Sequence, residues 1–73
     1  MLSKGQFFLS IHAQERAGER LVTEADIRSC GEKARQVTLQ ENGLWKVRGK
    51  DLDGYELTVV CKCSANLLII TVF

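Results

Sequence analysis

The spacing of apolar residues in this chain changes once, near Arg35, and that change limits what it can fold into. Before it, small and apolar residues recur every four positions at Ala13, Ala17 and Leu21, the repeat of one helix face. After it, apolar and polar residues alternate, the repeat of strands with one covered face. A helical block followed by a strand block predicts an α+β fold, with two N-terminal helices packed on one face of an antiparallel sheet.

Start signals locate the helices. Ser10 suits an N-cap for a helix over residues 11–21, which Gly18 weakens by about 1 kcal/mol. Thr23-Glu24-Ala25-Asp26 places a capping hydroxyl three residues before a carboxylate, close to a capping box. Ile27, Cys30 and Ala34 then form the buried side of the second helix, while Arg28, Glu32 and Lys33 read as solvated. Gln6 to Leu9 is short, apolar and aromatic, and suits an N-terminal edge strand or a hydrophobic lead-in after a flexible tail at residues 1–5.

Turn signals at Glu41-Asn42-Gly43, Leu52-Asp53-Gly54 and Ser64-Ala65-Asn66 divide the remainder into a meander of about four strands. Register follows from keeping apolar residues on one face. Three-residue loops at the first two turns pair Leu39 with Trp45, Val37 with Val47, Val47 with Val59, Gly49 with Leu57 and Lys50 with Glu56. A two-residue loop at Ala65-Asn66 pairs Cys61 with Ile70 and Val59 with Val72. The covered face then holds Trp45, Val47, Leu57, Val59, Cys61, Ile70 and Val72. The opposite face carries Lys46, Arg48 and Lys50 on one strand and Val60, Leu67, Ile69 and Phe73 toward the C-terminal strand.

Seventy-three residues make a single domain that buries only about 60% of its unfolded surface, so its stability is marginal. A net charge of +1 excludes a domain whose whole surface is basic, but not a local basic patch. The longest apolar tract, Leu67 to Phe73, is interrupted by Thr71 and is too short to span a bilayer, so no membrane partner is expected. Three cysteines, an odd number with Cys61 and Cys63 on one strand face, fit a reducing, cytoplasmic setting.

The residues with chemical potential fall in two groups. His12, Arg16 and Arg20 stand four apart and form one polar stripe on the first helix. Such a stripe can hold a phosphate, or it can be a solvated face neutralised by Glu15 and Glu19. A histidine that moves a proton beside arginines that stabilise phosphate charge is what metal-free RNA cleavage needs. Lys46, Arg48 and Tyr55 are the candidate substrate-binding residues, although alternating cations on a strand also serve solubility. Cys61-Lys62-Cys63 lacks the gap of a zinc knuckle and Cys30 lies on an apolar helix face, so no metal and no cofactor are expected.

The pattern F-x-L-S-x-H-A-x-E-R at Phe7 to Arg16, with Arg20, T-E-A-D-I at Thr23 to Ile27, Asp53-Gly54 and the terminal I-I-T-V-F, resembles the small bacterial family catalogued as domain of unknown function 4258. The family's layout is similar to toxins of the RelE, ParE and BrnT type, many of them ribonucleases held by a partner antitoxin. By that resemblance His12 is the acid/base, Arg16 and Arg20 are phosphate clamps, and the partners are RNA or the ribosome and an antitoxin-like protein. The alternative is a non-enzymatic interaction module or homodimer that associates through the C-terminal strand.

Overall fold

Two side-chain caps start the helices where the sequence puts them. In the computed structural model, which describes residues 6–64 and 66–73, α1 spans Ile11–Arg20 and α2 spans Glu24–Glu32. The Ser10 hydroxyl accepts the Ala13 N–H at 3.0 Å. The Thr23 hydroxyl accepts the Asp26 N–H at 3.2 Å, and the Asp26 carboxylate accepts the Thr23 N–H at 3.0 Å, a complete capping box. Both caps satisfy donors that a first helical turn leaves open. The expected tail at residues 1–5 and Ala65 of the expected last turn lie outside the described residues.

The strands are β1 (Phe7–Leu9), β2 (Gln36–Leu39), β3 (Trp45–Lys50), β4 (Glu56–Cys63) and β5 (Leu67–Val72), forming one sheet in the order β1-β5-β4-β3-β2. β2 to β5 are antiparallel neighbours, whereas β1 pairs with β5 in parallel. The sheet is therefore five-stranded and mixed, because the N-terminal segment forms a true edge strand. The first two hairpins keep the expected register, with Leu39 opposite Trp45, Val47 opposite Val59 and Lys50 opposite Glu56. Gly43 supplies the left-handed residue of the first loop at φ 82°.

The last hairpin departs from expectation. Cys61 faces Ile69, not Ile70, because a bulge places one extra residue on β5 between the Cys61–Ile69 and Val60–Thr71 pairs. Ser10 holds this irregularity: its N–H donates to the Ile69 carbonyl at 2.9 Å and its hydroxyl to the Ile70 carbonyl at 3.0 Å. One extra residue turns over the side chains that precede it on β5. Ile69 is consequently fully buried and Leu67 packs against the core, while Ile70 is only half-buried.

Three smaller expectations are also corrected. Leu21 leaves the apolar stripe of α1; it is the C-cap, left-handed at φ 55° and 86% exposed, and Val22 packs on the core in its place. Ala34 is exposed because α2 ends at Glu32. Arg28 is not simply solvated, since its guanidinium lies 4.7 Å from the centre of the Phe7 ring.

Ala13, Ala17, Ile27 and Cys30 of the helices meet Val47, Leu57, Val59, Cys61, Ile69 and Val72 of the sheet in one core. α1 lies over β5 and β1, and α2 over β3 and β4. The tightest contact is at Gly49, where a side-chain carbon would sit 3.0 Å from the carbonyl carbon of Cys30 and closer still to its oxygen. Beside it, the buried Ser29 hydroxyl donates to the Lys50 carbonyl at 3.0 Å, and the Cys30 thiol donates to the Leu57 carbonyl at 3.2 Å.

Asp26 also pins the N-terminus of α2 to the β3–β4 turn, since its second oxygen accepts the Leu52 N–H at 3.0 Å. The Thr23 and Leu52 amides hold its carboxyl below the ordinary value of 3.8. A lowered folded pKa means that the charged form stabilises the fold above the ordinary carboxylate range, and that this is lost as pH falls through the lowered value. The urea midpoint of Asp26→Asn should therefore lie below wild type at neutrality, with the gap closing as pH falls below the ordinary carboxylate value and through the lowered one. A gap independent of pH would show that the charge contributes nothing.

Gly49→Ala forces α2 off the sheet and should cost about 1–3 kcal/mol by urea unfolding. Leu21→Gly removes a strained left-handed residue that buries almost nothing and should stabilise by about 1 kcal/mol in the same assay. Opposite signs in either case would contradict the packing described.

Candidate functional site

The helices cover only one face of the sheet, and strand alternation fixes what the other displays. Val47 and Val59 point into the core, so Lys46, Arg48 and Lys50 of β3 and Lys62 of β4 project from the uncovered face. Glu56 is the one acidic residue within the five strands, and it lies on this face as well. The four strand cations are thus gathered on one surface although the chain's net charge is only +1. The helical segment, by contrast, carries Glu15, Glu19, Glu24, Asp26 and Glu32 alongside its basic residues.

Arg35, just before β2, joins this surface, because the Arg35 N–H donates to the same Arg48 carbonyl region that Gln36 pairs with. Its guanidinium is ion-paired with Glu56, which also lies 3.8 Å from Arg48. Arg35, Gln36 and Arg48 line an open depression of about 530 Å³. Lys46 Nζ lies 5.7 Å from the centre of the half-exposed Phe73 ring, an arrangement of cation and aromatic face on the same surface. Tyr55 is 73% exposed in the turn after β3, where the Tyr55 N–H donates to Asp51.

His12, Arg16 and Arg20 sit on α1, whose Ala13 and Ala17 face the core. The stripe is therefore on the helical layer, and Lys46 and Arg48 are on the far side of the sheet, so the two candidate groups do not form one site. Within the stripe, Arg16 Nη1 lies 3.5 Å from Glu19 Oε2, an exposed pair of small energetic consequence. His12 and Arg20 are exposed. The sequence singled out Lys46 and Arg48 but missed Arg35 and the role of Glu56. Expected register set Glu56 opposite Lys50, whereas its carboxylate turns to the two arginines.

Cys30 and Cys61 are buried, and loss of hydration pushes both thiols up to about 11, so neither is a thiolate near neutrality. Cys63 is exposed. Among the described residues no three His, Cys, Asp or Glu side chains converge as metal ligands, and no helix is long and apolar enough to cross a membrane.

The expected association through the C-terminal strand is not available to an added strand, because β5 lies between β1 and β4. Of the residues that motivated it, Ile69 is in the core and Val60 is 8% exposed within its own chain, while Phe73 stays 43% exposed.

No curated protein and no solved structure matches the chain. A family described as Domain of unknown function (DUF4258) matches residues 9–73, from the end of β1 through α1, α2 and the whole meander. That span covers nearly all of the sequence, and the chain belongs to this family.

Proposed function

We propose that this domain binds RNA, and that its contact surface is the uncovered face of the sheet. The observation that carries this reading is the gathering of Arg35, Lys46, Arg48, Lys50 and Lys62 on or beside one open face with Glu56 as their only acidic neighbour in the strands. Cations at alternate positions on adjacent strands suit a sugar–phosphate backbone, and Phe73 and Tyr55 are exposed rings on which bases can stack. Glu56 competes with phosphate for Arg35 and Arg48 in the free protein, so binding exchanges one anionic partner for another.

A cleaving, toxin-like activity is the second reading, and it draws on α1. Its support is that Arg16 alone of the stripe is ion-paired, leaving His12 and Arg20 exposed to a ligand. Binding and cleavage would then use different layers of the molecule.

Fluorescence anisotropy with a labelled single-stranded RNA, repeated over a salt series, tests the first reading. Three to four phosphate contacts give a log–log salt slope of about −2 to −3. Arg48→Gln should weaken binding and reduce the slope magnitude by about 0.7, whereas Glu56→Gln should tighten binding by freeing both arginines. Loss of binding in a folded His12→Ala/Arg16→Ala/Arg20→Ala protein, with Arg48→Gln and Glu56→Gln both neutral, would move the contact to α1. No binding at low salt would overturn both readings.

A further inference from the structure

We propose that β2 is a self-complementary edge through which two copies of this chain pair, antiparallel, about a two-fold axis at Thr38. β2 is the terminal strand of the sheet, opposite β1. No helix covers it: α2 sits over β3 and β4, and α1 over β5 and β1. Val37 and Leu39, on the helix side with Val47 and Trp45, are left 49% and 56% exposed. Among the described residues, no helix lies over this half-exposed apolar pair.

The backbone selects the occupant. The Gln40 N–H donates to the Leu44 carbonyl at 2.8 Å, closing the ladder between β2 and β3. Hydrogen-bonded pairs alternate along an antiparallel ladder, so Gln36 and Thr38 direct their amides toward β3, and Val37 and Leu39 direct N–H and C=O to the open edge. Rotation about Thr38 sets Val37 of one copy against Leu39 of the other, twice, so each of these outward groups meets a partner. The same register sets apolar against apolar on the helix side and Thr38 against Thr38 on the open side. Shifting by two residues in either direction leaves part of the edge unpaired, because the Arg35 N–H is already given to the Arg48 carbonyl and β2 ends at Leu39.

The helices leave room. Strands pair about 4.8 Å apart, so the two copies of β3 lie about 14 Å from one another, more than the roughly 10 Å diameter of a helix. Four backbone hydrogen bonds and four apolar side chains fall short of a standard interface of about 1,600 Å², which predicts a weak dimer, half-formed between about 10 μM and 1 mM.

Sedimentation equilibrium of the full chain tests this, with the average mass rising from 8.2 kDa toward twice that value over this range. A mass that stays at 8.2 kDa up to about 1 mM overturns the proposal. Val37→Lys, at an exposed edge position, should return the protein to monomer with an unchanged circular dichroism spectrum and thermal midpoint; a persistent dimer overturns the β2 assignment. The register has its own test in a Cys63→Ser background. Thr38→Cys should give a covalent dimer on mild oxidation, because non-hydrogen-bonded partners approach to about 4.5 Å, whereas Val37→Cys should not, its copies lying beyond the ~7 Å limit for a disulfide. Cross-linking at Val37→Cys but not at Thr38→Cys would overturn it. None of these measurements involves RNA, so this inference stands or falls apart from the RNA-binding reading.

Discussion

The close approach of α2 to β3 at Gly49 governs the arrangement of the whole domain. With no side chain at that position, the backbone of Cys30 comes within contact of the strand. Ser29 and Cys30 then hydrogen-bond to carbonyls of two adjacent strands, Lys50 and Leu57, rather than lying loosely on side chains. A chain of this size has little apolar area to spare, so a contact at backbone distance helps to bury Ile27, Val47, Leu57 and Val59 together. It also commits one face of the sheet to the helices and the other to solvent.

That commitment separates charge in a molecule that is nearly neutral in total. The strands place Lys46, Arg48, Lys50 and Lys62 on the open face because the alternate positions are occupied by the core. Most of the acidic residues fall in α1, α2 and the turns. Glu56 is the exception, and its pairing with both Arg35 and Arg48 makes it the local counterweight to the basic surface. Net charge alone hides a division of this kind, because it sums over faces that point in opposite directions.

The second consequence concerns the strands the helices do not reach. Two short helices cover four strands, and β2 lies beyond them. Its apolar side chains were expected to share the covered face with Val47 and Trp45, and they are on that side of the sheet, yet they remain exposed. At the opposite edge β1 occupies the side of β5 that would otherwise be open, and Phe7 both joins the core and receives Arg28 of α2.

The sequence by itself determined both helices, their Ser10 and Thr23 caps, the four-strand meander and the register of its first two hairpins. These depend on interactions between residues close in sequence, where capping chemistry, loop length and alternation leave few options. It also named Lys46 and Arg48, since alternation alone sends them to the face opposite Val47. Only the tertiary structure decided that Ile69 rather than Ile70 enters the core, because the bulge on β5 is held by Ser10, some sixty residues away in the chain. Tertiary structure likewise decided that Leu21 is a cap, that Arg35 joins the basic face, and that the Glu56 carboxylate turns to Arg35 and Arg48. Each of these follows from which surfaces meet in three dimensions, and sequence spacing carries no record of that.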